Sequence, residues 1–371
     1  MLLLIGILAL HVAVKLCRPN ARRNSVANIL TLVARLREED PPLNYLSENE
    51  SVSIGKFLEF EVVRWNGKLR AVPSEALNLP GRRVTSSFLY RGQNIRHRPC
   101  VASLFRGISQ EGEQLQGRLL LSRVRVAELE LILRDHPFTH VASKHGFSVD
   151  YAGLAQHYGI PTALVDLTSN IEVAAFFAVA HWSKERAWWI PMETGIGVLY
   201  RVHWINTGPG YSKFFDPVGH GPGLRPSRQH AWTHRPRVGV DFESIPIVET
   251  LEFQHDRTAS MKIMAAFDNG YHLYPKDCLA TLVKKVRDLP FVTMKAIRHA
   301  ALQDGQPEDQ VDILSERAAL LLSKVAGLDI IDAHELALEP ADVRRAQQQS
   351  SALDERLSRM RTGIRIIRTE K

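Results

Sequence analysis

The sequence predicts an α+β protein with a mixed β-sheet core, flanking helices and a helical carboxyl-terminal extension. Three observations predict it. Short apolar runs, Val62-Val63-Arg64-Trp65 and Leu69-Arg70-Ala71-Val72, flank Asn66-Gly67, a dipeptide suited to a tight hairpin turn. A strand-like run, Thr162 to Thr168, passes through a polar turn into an almost wholly apolar helix. Elsewhere, longer segments space their apolar residues three and four apart, the helical period.

With 371 residues, 45% of them hydrophobic and 23% charged, the chain can bury a sizeable core, which excludes a disordered or collagen-like polymer. Cys17, Cys100 and Cys278 lie far apart without a C-x-x-C pair, so they build neither a disulfide framework nor a cysteine zinc cluster. A reducing cytoplasm is the expected location. Met1 to Val14 is apolar apart from His11, yet fourteen residues fall short of the roughly 20 a bilayer span needs. It reads as a buried or ragged helix or a misassigned start ahead of a membrane anchor.

In chain order, Val26 to Leu36 is predicted as a helix stopped by Pro41-Pro42, and Gln116 to Arg134 as a second, ended by Pro137. Ser169 to Trp182 reads as a helix and Ile196 to Trp204 as a strand. Asn206 to Arg237, rich in Gly and Pro, reads as a long exposed loop. Ser244 to Phe253 is a further expected strand. Cys278 to Val286 and Val311 to Val325 are expected helices, the last closed by Gly327. Three units follow: a helical segment at 1–50, a central domain at 51–286, and a helical, basic extension at 287–371. Residues 340–371 carry +4 of the net +7, so the basic balance belongs to the tail, which reads as a solvated helix bearing Asp354, Glu355, Arg356 and Arg359 rather than a nucleic-acid site.

Two segments carry chemistry. In Ser87-Phe88-Leu89-Tyr90-Arg91-Gly92-Gln93, a strand ends in a guanidinium, a residue without a side chain and an amide. The fork of Arg91 suits phosphate or carboxylate, and Gly92 lets a ligand or another backbone come close. The plainer alternative is an Arg satisfying a buried acid. In the second segment, alternation sets Asp166 on the sheet face opposite Val165 and Leu167, and a buried acid needs a partner. Thr168-Ser169-Asn170 then opens a helix, with Ser169 and Glu172 spaced as a capping box. Free N–H groups beside Asp166 and Thr168 are expected to make a corner fit for an anion; the alternative is that Thr168 or Ser169 caps the helix and nothing binds.

Other chemistries lack their residues. His230 and His234 stand four apart without an accompanying glutamate and read as surface side chains, so no metal is expected. No P-loop, dinucleotide fingerprint or serine elbow occurs, and Cys100 reads as a buried thiol.

Tyr90-Arg91-Gly92-Gln93, Ser103-Leu104-Phe105-Arg106-Gly107, Gln156-His157-Tyr158-Gly159-Ile160-Pro161-Thr162, Asp166 with Thr168, and Ala174-Ala175-Phe176-Phe177-Ala178 together resemble the FRG domain family. The resemblance extends through Arg225-Pro226-Ser227-Arg228-Gln229-His230-Ala231 to Gly270–Leu282, with Ala231 where the family usually has Gly and no Trp beside Asp166. It implies a prokaryotic or viral type of protein and no defined reaction. A weaker analogy is to ADP-ribosyltransferases, in which an Arg holds the NAD phosphates or ribose, a hydroxyl strand supports the nicotinamide ribose and a later glutamate stabilises the transition state. By that analogy Arg91 and Thr168-Ser169 fill the first two roles, while Gln229 stands where the acid belongs; Glu243, Glu249 and Glu252 are the nearest replacements. The expected site is thus Arg91, Asp166, Thr168 and Gln229, with Tyr90, Gln93, Gln156, His157, Tyr158, Ser169 and Asn170 around a nucleotide-type ligand, NAD as substrate. The contrasting expectation is a binding or interaction module whose motif residues are structural, Arg91 pairing Asp166. The sequence names no protein or nucleic-acid target.

Overall fold

A computed structural model describes residues 28–39, 53–57, 60–65, 68–73, 88–107, 111–203, 214–334 and 336–361. The apolar stretch 1–14, Cys17, Asn66-Gly67, Ser87, Gly208 and Gly210 lie outside the described residues. The chain folds as the expected α+β protein.

Helix α1 (Ile29–Glu39) begins at Asn28, whose side chain accepts from Thr31 N, and buries Ile29, Leu32, Val33 and Leu36 along one stripe. Strands β1 (Ser53–Phe57), β2 (Phe60–Trp65) and β3 (Lys68–Pro73) make an antiparallel sheet in which Trp65 faces Lys68, the register of the predicted hairpin. After β4 (Leu89–Gln93) come α2 (Gly112–Leu133), α3 (Pro137–Lys144) and α4 (Tyr151–His157). Pro137 does not merely end α2; it opens α3, where a missing N–H costs nothing. Gly159, at φ +96°, closes α4 in a conformation that favours glycine.

Strand β5 (Val165–Thr168) leads into α5 (Ile171–Val179). The predicted helix to Trp182 stops short, because Ala180–Ser183 becomes strand β6, paired with β7 (Trp188–Pro191). Strand β8 (Ile196–Val202) follows. The predicted loop at 206–237 holds structure: β9 (Phe215–Pro217), the short α6 (Arg225–Arg228) and β10 (Ala231–His234). Its glycines are needed for close approach, since a Cβ on Gly223 would stand 2.4 Å from the Tyr158 hydroxyl. Then come β11 (Val248–Gln254), α7 (Arg257–Ala266), α8 (Cys278–Arg287), β12 (Phe291–Thr293), α9 (Met294–Gln303), α10 (Glu308–Ala326), β13 (Asp329–Ile331) and α11 (Pro340–Arg361).

The main sheet runs β11-β8-β4-β5-β10-β9, every neighbour antiparallel. Parallel pairing appears between β12 and β13. Alternation along β8 sends Val198, Tyr200 and Val202 into a core with Leu89, Val165, Leu167 and Phe242, and Leu199 into an opposite core with α1, α5 and α7. Helix α2 joins the sheet to the carboxyl-terminal helices. Its buried Arg125 donates to the carbonyls of Leu289 and Phe291, and its buried Glu128 accepts from Thr293 and meets His334 Nε2 at 3.0 Å. Helix α11 is not wholly solvated: Leu353 and Leu357 pack on Phe138, Val141 and Phe147, and Asp354 pairs with Lys144 and His145. Among the described residues no helix is long and apolar enough to cross a membrane.

Burial, complete for His136 and His234 and partial for His220 and His230, pushes these four histidines down to about 4. They are neutral in the fold, whereas an unfolded chain takes up these protons below about pH 6.5. Their contribution is therefore whole above pH 6.5 and lost as pH falls towards 4, at up to ~1.4 kcal/mol per group and pH unit. Urea denaturation followed by circular dichroism is expected to show a clearly lower midpoint at pH 5 than at pH 7; equal midpoints would contradict it.

Candidate functional site

The site forms where two strands stop pairing. Strands β4 and β5 share one residue pair, Tyr90 with Thr168, and beyond it Arg91 and Gly92 no longer pair with Leu167 and Asp166. A cavity of about 330 Å³ lies there, walled by both strand ends, α4, α5, the β6–β7 hairpin, Gln229 and Tyr274. Helix α5 covers β4 so closely that a Cβ on Gly92 would stand 1.8 Å from the Ala174 carbonyl oxygen. The Arg-Gly-Gln order and the alanines of α5 are thus one packing solution.

Across the gap Arg91 Nη1 donates to the main-chain carbonyl of Asp166 at 2.7 Å. The carboxylate itself is held elsewhere. Gln156 accepts from Thr162 N and Oγ1, which orients its amide so that Nε2 donates to Asp166 Oδ2 at 3.2 Å. Gln229 is oriented likewise: Nε2 donates to Leu273 O at 3.0 Å, leaving Oε1 to accept from His157 Nδ1 at 2.9 Å. With Nδ1 engaged by Gln229, His157 Nε2 faces Asp166 Oδ1 at 3.9 Å, too far to hydrogen-bond directly. Arg91 Nε, His157 Nε2 and Asp166 Oδ1 are all buried without a partner.

Arg106 adds a second guanidinium to the lining; its backbone N–H donates to Ser103 O at 3.4 Å. Asp166 is the one carboxylate lining the cavity among the described residues. The His97 imidazole is held below its ordinary pKa by burial and by Arg106 and Arg91. The lining also has an aromatic part, Phe177, Trp182, Trp189 and Tyr274.

Of the expected residues, Tyr90, Arg91, Gln93, Gln156, His157, Asp166, Thr168 and Gln229 line this one cavity. Three do not. Tyr158 donates to Asp277 Oδ2 and accepts from Arg225 N, tying the 219–225 turn to the start of α8. Ser169 N donates to His230 O. Asn170, not Ser169, caps α5: its Oδ1 accepts from Glu172 N and Val173 N, and Asn170 N donates to Thr168 Oγ1. The expected anion corner is therefore closed by its own cap, and the guanidinium groups lining the cavity are those of Arg91 and Arg106. Glu243 and Glu252 are held by Arg96, and Glu249 by Arg201, so none of the three acids reaches the cavity. His230 and His234 are not surface side chains; His234 lies in β10, stacked on Phe215 at 4.5 Å. No cluster of metal-ligating side chains occurs among the described residues.

Sequence reasoning missed Arg106, His97, His181, Trp182, Trp189 and Tyr274 as lining residues. Arg106 and Tyr274 did carry a signal, since both fall within segments of the family resemblance. The adjacent Trp188-Trp189 pair was the signal for the aromatic part.

Residues 86–187 match the model of the FRG domain. The match contains the Tyr90–Gln93 and Gln156–Thr168 segments and ends before Gln229 and Gly270–Leu282. No curated protein and no solved structure matches the chain.

The closeness of α5 to β4 gives a direct stability test. Gly92→Ala forces backbone apart and is expected to cost ~2–3 kcal/mol or more. Gly221→Ala, whose Cβ would meet nothing nearer than 3.9 Å, should change little. Thermal unfolding of the two variants checks this, and a Gly92→Ala protein as stable as the parent would refute the packing.

Proposed function

The chain carries an FRG domain at residues 86–187, and from the cleft lined by that domain we propose that the protein binds a nucleotide-type ligand and acts on NAD as an ADP-ribosyltransferase-like enzyme of the cytoplasm. One observation carries the reading: three buried polar atoms without partners, Arg91 Nε, His157 Nε2 and Asp166 Oδ1, belong to residues around a single cavity. Buried polar groups are ordinarily satisfied, so a cluster of exceptions marks a place where a ligand supplies the partners.

In this reading Arg91 and Arg106 take the phosphates, which guanidinium forks suit. The Asp166 carboxylate faces the ribosyl C1. As the C1–N bond breaks, its electron pair leaves on nicotinamide and the carboxylate stabilises the oxocarbenium-like centre that remains. A hydroxyl, of water or of a target side chain, enters between Asp166 Oδ1 and His157 Nε2, adds at C1 and gives its proton to His157. Gln156 and Gln229 position the two groups without touching the reacting atoms. A reducing compartment fits the two free thiols, Cys100 and Cys278, among the described residues.

A second reading, a binding module without turnover, is favoured by Gln229. Its neutral amide is committed to His157 and Leu273 and supplies no charge where the analogous enzymes place an acid.

Calorimetric titration with NAD and ADP-ribose, alongside assay of nicotinamide release, separates the two. Arg91→Ala is expected to weaken binding ~10- to 100-fold through loss of a charge-assisted contact. Asp166→Asn should keep binding within a few-fold and lower nicotinamide release at least ~100-fold. Binding without release by the parent protein selects the module; no nucleotide binding at all overturns both.

A further inference from the structure

The aromatic part of the cleft has its own unmet polar group. Strands β6 and β7 bring Trp182 opposite Trp189, ring centroids 5.6 Å apart, and Trp189 also packs on Tyr274 at 5.3 Å. Trp182 is 48% exposed at the rim. The neighbouring Trp188 is satisfied: its indole N–H donates to Asn269 O at 2.8 Å and its ring stacks on Tyr271. Trp189 is different. Its Nε1–H is buried without an acceptor, whereas His181, which pairs with Ile190, faces the other side of the hairpin. Indole is a donor only, so the group that satisfies it must bring an acceptor.

We propose that this part of the cleft is a base subsite. A planar heteroaromatic group seats against Trp182, an acceptor on its edge taking the Trp189 N–H. Adenine and the carboxamide of nicotinamide both offer such an acceptor on a flat ring, so the subsite reads that shared chemistry. The inference rests on the reading of the cleft as a nucleotide site and adds which residue gives it specificity, Trp189.

The test is calorimetric titration with four probes: NAD, ADP-ribose, nicotinamide mononucleotide and ribose 5-phosphate. NAD and one of the two partial ligands are expected to bind at least ~10-fold tighter than ribose 5-phosphate, and the partial ligand that does so names the base. Trp189→Phe keeps an aromatic ring but removes the N–H, and should weaken the base-bearing ligands ~5- to 10-fold while leaving ribose 5-phosphate unchanged. Should that variant fail to fold, Trp182→Ala at the exposed rim is expected to show the same selective loss. Ribose 5-phosphate binding as tightly as the base-bearing ligands, or a variant that weakens all four alike, overturns the subsite and leaves the anion site standing. If none of the four binds, the nucleotide reading falls and the subsite with it.

Discussion

The backbone of α5 rests on the backbone of β4, and the rest of the cleft depends on that contact. Glycine at position 92 is what permits it, because any side chain there would drive into the Ala174 carbonyl. With the helix pressed onto the strand, the residues either side of Gly92 have their directions fixed. Arg91 crosses the gap to the Asp166 carbonyl, and Gln93 turns to the buried hydroxyl of Tyr200. The ladder between β4 and β5 ends after one pair, and the space left is the cavity. A sheet whose central strands part in this way exposes main-chain polar groups that a side chain or a ligand must satisfy.

Which atom Arg91 touches decides what the site can do. Had the guanidinium paired with the Asp166 carboxylate, the two charges would have neutralised each other, and a buried ion pair of that kind is a structural element. The bond goes to the main-chain carbonyl, so the guanidinium and the carboxylate are not joined as a direct ion pair. The two glutamines reinforce this separation. Each amide is oriented at one end by fixed partners, Thr162 for Gln156 and the Leu273 carbonyl for Gln229, and presents its other end to Asp166 or His157. Pre-orientation of this kind removes the cost of arranging the groups when a ligand arrives.

Much of this was legible in the sequence because it is written locally. The helix at Cys278, the helix closed by Gly327, the hairpin register and the convergence of Arg91 with Asp166 followed from period, caps and motif order. What failed depended on distant partners. Thr233 and His234 sit in a segment punctuated by Gly and Pro, and become a strand because β5 offers Asp166 and Val165 as ladder partners. The α5 helix ends at Val179 rather than Trp182 because Trp188–Pro191 pairs with the residues that would have extended it. The misplaced cap is subtler: Ser169 has the right spacing to Glu172, yet its N–H is engaged by His230 O, and Asn170 one residue later takes the helix start. No local rule states that choice.

The unmet groups of the cleft bear on why the fold around it is so heavily tied. A buried donor or acceptor without a partner costs ~1–3 kcal/mol, a large share of the stability of a typical domain. Arg91, His157, Asp166, His181 and Trp189 each leave such an atom around one cavity. Elsewhere several charged side chains are fully engaged: Arg125 and Glu128 on α2 each serve two or more partners in the 289–334 segment, and Asp277 serves Tyr158, Leu224 N and Ala280 N at once. Unmet atoms also occur outside the cavity lining, on His145, Arg225, His255 and Ser315 among others, so it is the juxtaposition of a guanidinium, an imidazole and a carboxylate around one hollow that sets the cleft apart.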